Sequence, residues 1–126
     1  MNPESAPTAL AALRIAIGST AWVTPNLAGR MFGLDPAGNP QAPYLARLFA
    51  IRDLALGAGT LAAEGKTRRT WLIAGLACDL ADTAAAFLGR RGGYLSTPVS
   101  LLLAAPALSA VGMGAIALQA GDQSEA

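Results

Sequence analysis

Six charged side chains lie within the apolar, helix-forming segments of this 126-residue sequence. Carboxylates and guanidinium groups at one depth in an apolar environment can bind a polar ligand, exchange protons or pair with one another. Two neighbouring carboxylates can also divide the roles of acid and base. The six candidates are Arg14, Arg47, Arg52, Asp53, Asp79 and Asp82.

Their spacing decides which of them can meet. Asp79 and Asp82 are three residues apart, so they project from one side of a helix. Arg52 and Asp53 are adjacent, so they point about 100° apart around theirs. Either Arg52 faces the helix of the two aspartates while Asp53 faces the helix of Arg14, or the two are exchanged; both arrangements fit.

The functional interpretation is a small-molecule or proton site in a membrane enzyme or carrier. Asp79 and Asp82 are then the acid/base candidates, and the other four residues form the ligand-binding or ion network. We expect Asp82 to line a water-accessible cavity with little positive charge beside it, and Asp79 to be tied into the network. The alternative is a non-catalytic structural or interaction subunit, in which three arginines balance three aspartates and hold the helices in register.

The composition indicates a membrane protein. Apolar residues make up 53% of the chain and charged residues 13%, whereas a soluble domain carries roughly 25% charged residues. From Gly92 to Gly121 there is no charged residue, which is typical of a membrane span. A charge at the bilayer centre costs about 2.5–3.5 kcal/mol, so the buried charges must pair or contact water.

The elements that must position these residues form an all-α fold. We predict a single domain, residues 1–126, with four transmembrane helices at about 8–23, 43–63, 71–88 and 98–120. A short interfacial helix from Pro25 to about Phe32 lies between spans one and two. Thr24, Thr70 and Thr97 are predicted N-caps, and Glu64–Arg69 is a predicted loop. Helix rise places Asp53 and Asp79 each roughly 14–15 Å inside their spans, at one level.

Several classes of function are excluded. The chain has no histidine and one cysteine, which leaves no Cys/His zinc site and no internal disulfide. A net charge of +1 gives no footprint for nucleic acid. We expect no cofactor and no metal.

The expected partners are the lipid bilayer, a small apolar or amphipathic ligand, and further copies of the chain or a larger membrane complex. The abundant arginine and alanine suggest a bacterial source and an inner-membrane, multi-pass location. The compact basic cluster Lys66–Arg69 favours cytoplasmic termini.

Three local features resemble a known family. They are Arg47 followed by Ile51–Gly57, the pair Asp79 and Asp82, and the tripeptide Phe32-Gly33-Leu34. The chain resembles small four-span bacterial and fungal membrane proteins known only as domain of unknown function 4267. The resemblance implies a four-helix membrane fold and supports four positions for testing, but it transfers no activity. Those positions are Arg47, Arg52, Asp53 and Asp82.

The charge-free run from Gly92 to Gly121 leads to the first prediction. We expect the protein to stay in the membrane pellet after alkaline carbonate washing and to need detergent for release, because its apolar segments have no polar face to turn to water. Immunoblotting of pellet and supernatant measures this. A stable, detergent-free monomer in the supernatant would contradict it.

Overall fold

The computed structural model describes residues 2–124, with side chains to residue 122. The predicted domain, residues 1–126, also includes Met1, Glu125 and Ala126, which lie outside the described residues. The described chain is helical without strands, which confirms the all-α prediction for this part. After a 3₁₀ turn at Pro3–Ser5, the helices are α1 (Ala6–Val23), α2 (Pro25–Met31), α3 (Ala42–Ala62), α4 (Gly65–Arg91) and α5 (Thr97–Ser124).

Three helical segments are long and apolar enough to cross a membrane: Pro3–Val23, Gly65–Arg91 and Thr97–Asp122. Helix α3, predicted as the second span, has 21 residues and carries Arg47, Arg52 and Asp53. Every stretch of 18 residues in α3 contains all three charges, whereas the apolar middle of α4 contains only Asp79 and Asp82.

Small residues fill the interior and large apolar residues lie outside. Ten of the thirteen buried apolar residues in the described chain are alanines, and no large side chain is fully buried there. By contrast, Leu101 is 65% exposed and Phe87 is 59% exposed. Exposed apolar surface of this extent marks a contact with lipid or protein in place of water, and it agrees with the membrane-spanning composition.

The four long helices form a ring in which α1 contacts α3 and α5, and α4 contacts α3 and α5. The closest packing is within the pairs α1/α3 and α4/α5, and α1 and α4 lie diagonally across the ring. Glycines bring the first pair together. A Cβ atom on Gly18 would lie 2.8 Å from the Ala50 carbonyl oxygen, and one on Gly57 would lie 2.9 Å from that of Ala11. Small residues are what allow helices to approach this closely.

The predicted loop Glu64–Arg69 is wrong. Only Ala63 and Glu64 separate α3 from α4, and Lys66–Arg69 forms the first turns of α4. Gly65 allows the tight turn because its φ is +51°, a value that glycine adopts without steric cost. The third span is thus the middle of a helix that begins six residues before its predicted start at residue 71.

Of the three predicted threonine caps, only Thr24 lies at an N-cap position, that of α2, and its side chain makes no capping hydrogen bond there. Thr24 and Thr70 donate their hydroxyl groups to carbonyls one turn back, as threonine often does within helices. Thr97 accepts a hydrogen bond from Arg90, and the side chain of Ser96 accepts from the Val99 N–H at the start of α5. Local sequence does not distinguish a capping hydroxyl from one that bonds back into its own helix.

The close α1/α3 contact predicts opposite effects for two glycines. Gly57→Ala should destabilise the protein by about 1–3 kcal/mol, because its Cβ would lie 2.8 Å from Ile15 Cγ1. In Gly112→Ala the new Cβ meets no atom within 4 Å, so this control should be neutral or more stable by up to about 1 kcal/mol. Melting temperatures in detergent compare them. Equal effects would show that the α1/α3 contact is loose.

Candidate functional site

Arg14 lies at the centre of the helix ring. Its side chain is 6% exposed, and it leaves α1 to reach two carboxylates on different helices. Nη1 donates to Asp53 Oδ1 of α3 at 3.4 Å, and Nη2 donates to Asp79 Oδ2 of α4 at 2.5 Å. The guanidinium group reaches across the helix ring from α1 to α4 and passes Gly75, where a Cβ atom would lie 2.9 Å from Nη2. Glycine at position 75 therefore gives the arginine its path.

Arg52 makes the second link, between α3 and α4. Its Nη1 and Nη2 donate to Asp82 Oδ1 and Oδ2 at 3.0 and 2.6 Å, the paired geometry in which a guanidinium binds a carboxylate most strongly. Both side chains are 32% exposed. Arg52 Nη2 also lies 3.8 Å from Asp53 Oδ1, and the guanidinium carbon lies 4.8 Å from the Phe49 ring centre.

These five residues form one connected network. Two guanidinium groups face three carboxylates, so the network carries one more negative than positive charge when every group is ionised. Of its four contacts, the Arg14–Asp79 and Arg52–Asp82 pairs connect the helix pair α1/α3 to α4/α5. Helix α5 contributes no charged residue to the network. It is tied to α4 elsewhere: the buried Ser100 hydroxyl donates to the Ala86 carbonyl at 2.7 Å, and the exposed Arg69 and Arg90 donate to Asp122 and Thr97.

Arg47 lies outside the network. Its Nε donates to the Trp22 carbonyl at the end of α1, at 3.2 Å, and its side chain lies five residues before Arg52 in α3. The predicted balance of three arginines against three aspartates is therefore wrong for the site itself. Without Arg47, one carboxylate exceeds the available arginines.

Of the two arrangements that the sequence leaves open, the structure has Arg52 toward α4 and Asp53 toward Arg14. Asp79 is 5% exposed and bound by Arg14. Asp82 is more exposed and lines a cavity, but the expectation of little positive charge beside it is wrong, because Arg52 engages both of its oxygens. The exposed carboxylate is thus also a paired one.

A cavity of about 460 Å³ lies between the helix pairs, next to the network. All five helices line it, and its wall is apolar except at four residues of the network. On α1 its lining runs from Leu10 to Ala21, a length of roughly 16 Å at the helix rise. Helix α2 borders its other end through Pro25 and Phe32. The charged lining residues are Arg14, Asp53, Asp79 and Asp82.

Two carboxylate oxygens of the network are open to this cavity. Among the described residues, no donor bonds to Asp53 Oδ2 or Asp79 Oδ1. Arg52 Nε is the one fully enclosed side-chain polar atom there that lacks a partner, so these two oxygens are not enclosed by protein. Their side chains are only 6% and 5% exposed, and both residues line the cavity.

The sequence did not indicate two residues that shape the site. Neither Gly75 nor Phe49 is among the six candidates. Phe49 lies three residues before Arg52, the spacing that places a ring and a cation on one helix face. That spacing is a usable signal, whereas the role of Gly75 depends on a contact from α1 that no local pattern contains.

Comparison with protein-family models, with curated proteins and with solved structures gives no significant match for this chain. Its function is therefore argued from the site alone.

The paired geometry predicts strong energetic coupling between Arg52 and Asp82. Arg52→Ala and Asp82→Ala should each lower the free energy of unfolding. The double variant should lower it by about 0.5–3 kcal/mol less than the sum of the two single effects, because the second substitution removes a charge that the first has left without a partner. Denaturation in detergent, with all four proteins compared, gives this coupling.

The matched control is a second cycle of variants, in which Asp79→Ala takes the place of Asp82→Ala. Asp79 is bound by Arg14 and has no direct contact with Arg52, so its coupling to Arg52 should be smaller. A larger coupling for Asp79 than for Asp82 would contradict the observed pairing.

Proposed function

We propose that the chain is an integral membrane protein of four transmembrane helices, α1, α3, α4 and α5, packed as a bundle. Helix α3 is the span that the three apolar segments do not include. It is supported as a span because Arg52 and Asp53 have partners on neighbouring helices, which removes much of the cost of placing these charges in a bilayer. Arg47 lies nearer the end of α3, where an arginine can reach the headgroups.

The proposal extends to location. We place the protein in the inner membrane with cytoplasmic termini, because Lys66, Arg68 and Arg69 lie together on the side of the termini. Helix α2 then lies at the opposite interface, at the border of the cavity. The resemblance to the family of domain of unknown function 4267 supports the same topology and stays a prediction.

We further propose that the cavity binds a small apolar or amphipathic molecule that enters from the bilayer. The observation that carries this is a cavity of about 460 Å³ with apolar walls and a charged network at one end. Ligand sites have this character: roughly 300–1,000 Å³, mostly apolar, with a few convergent polar groups that fix orientation.

The network supplies the chemistry in either form of this function. In a carrier, Asp53, Asp79 and Asp82 hold the polar end of the ligand. In a membrane enzyme, Asp79 or Asp82 is the acid or base that exchanges a proton with it. Asp82 suits proton exchange better, because its side chain is 32% exposed while that of Asp79 is 5% exposed.

A second candidate is a structural subunit of a membrane complex. The observation that favours it is that both Arg–Asp pairs to α4 join the two helix pairs, which is what a scaffold requires. On this reading the cavity is incidental, and filling it leaves the function of the complex intact.

Filling the cavity separates the two candidates. Ala107→Phe places a ring where a buried alanine lines the cavity, and it should abolish binding of decanol by the purified protein. Ala105→Phe, two residues away on the exposed side of α5, is the matched control and should bind as the original does. Isothermal titration in detergent measures binding, with a detergent blank.

If Ala107→Phe does not fold, Ala46→Phe fills the same cavity from a less buried position on α3. Decanol binding that is absent in the original protein, or equal in the filled and control variants, would count against the small-molecule site and in favour of the structural subunit.

A further inference from the structure

We propose that the molecule held in this cavity is a protonated amine with an apolar body. The inference rests on the proposed function, since it assumes that the cavity binds a small molecule, and it adds the charge and the head group of that molecule.

The first argument is charge. The network has three carboxylates and two guanidinium groups, and Arg47, which would have balanced it, bonds to the Trp22 carbonyl instead. A site with apolar walls screens an excess charge poorly, so an unbalanced carboxylate there attracts a cation strongly. A ligand with one positive charge makes the site neutral.

The second argument is hydrogen bonding. Asp53 Oδ2 and Asp79 Oδ1 have no donor among the described residues and belong to side chains that line the cavity. Buried carboxylate oxygens require donors, and an ammonium group offers several N–H donors that carry charge. A quaternary ammonium satisfies the charge but not these acceptors.

Arg14 does not reverse this preference. It is the one cation that lines the cavity, and both of its terminal nitrogens already donate, one to Asp53 and one to Asp79. A ligand carboxylate could reach the remaining N–H groups of Arg14 only by lying beside three like charges. Beyond Arg14 the lining on α1 is apolar as far as Ala21, over roughly 10 Å, so the ligand also needs an apolar body along that length.

The experiment compares three probes with one alkyl chain and different heads: decylamine, decanol and decanoate, at pH 7. Decylamine should bind roughly tenfold tighter than decanol, the difference expected between a charge-assisted and a neutral hydrogen bond. Decanoate should bind more weakly than decanol. Titration calorimetry in a neutral detergent, with each probe corrected for its partition into empty micelles, gives the affinities.

Variants of one residue test the cause. Asp82→Asn neutralises the excess charge at a partly exposed position and should reduce the ratio of decylamine affinity to decanol affinity to about threefold or less. Asp82→Glu keeps the charge and should keep the preference. Arg47→Gln, on α3 and outside the network, is the control and should change neither affinity.

The two proposals fail in different ways. If decanol or decanoate binds as tightly as decylamine, the amine inference is overturned while the small-molecule site stands. If Asp82→Asn keeps the full preference, the excess charge is not its cause and the inference is likewise overturned. If none of the three probes binds, the proposed function itself fails.

Discussion

The structure depends on one buried guanidinium. Arg14 has two carboxylate partners, on α3 and on α4, and an unpaired arginine at this depth would be among the most costly groups that a bilayer can hold. Its reach across the ring requires that position 75 lack a side chain. Helices α1 and α4 are not neighbours in the ring. Their relative position is set by the Arg14–Asp79 ion pair and by the absence of a side chain at Gly75.

Packing in this protein follows from what surrounds it. Where lipid covers the outside, burying a leucine brings little gain, and helices associate through close fit. The alanines of the interior and the glycines between α1 and α3 supply that fit. The two helix pairs pack more tightly within themselves than against each other, and the cavity lies between them.

The helices and the charged centre could be predicted from the sequence, since long apolar runs and isolated charges are local signals. Spacing reduced the pairing to two arrangements but could not choose between them, because the choice depends on the rotation of α3 about its axis. It also could not show that Arg47 faces Trp22 and leaves the network. The cavity could not be predicted from the sequence, because it is the space that five separate helices leave between them.

The distance along the chain between the partners has a consequence for biosynthesis. Arg14 is separated from Asp53 by 39 residues and from Asp79 by 65. At about 5–20 residues per second, a ribosome needs roughly 3–13 s to make the stretch from Arg14 to Asp79. Until Asp53 is made, roughly 2–8 s after Arg14, the arginine of α1 has neither of its partners, and Asp79 follows only later. The complete network therefore cannot form before most of α4 has been synthesised.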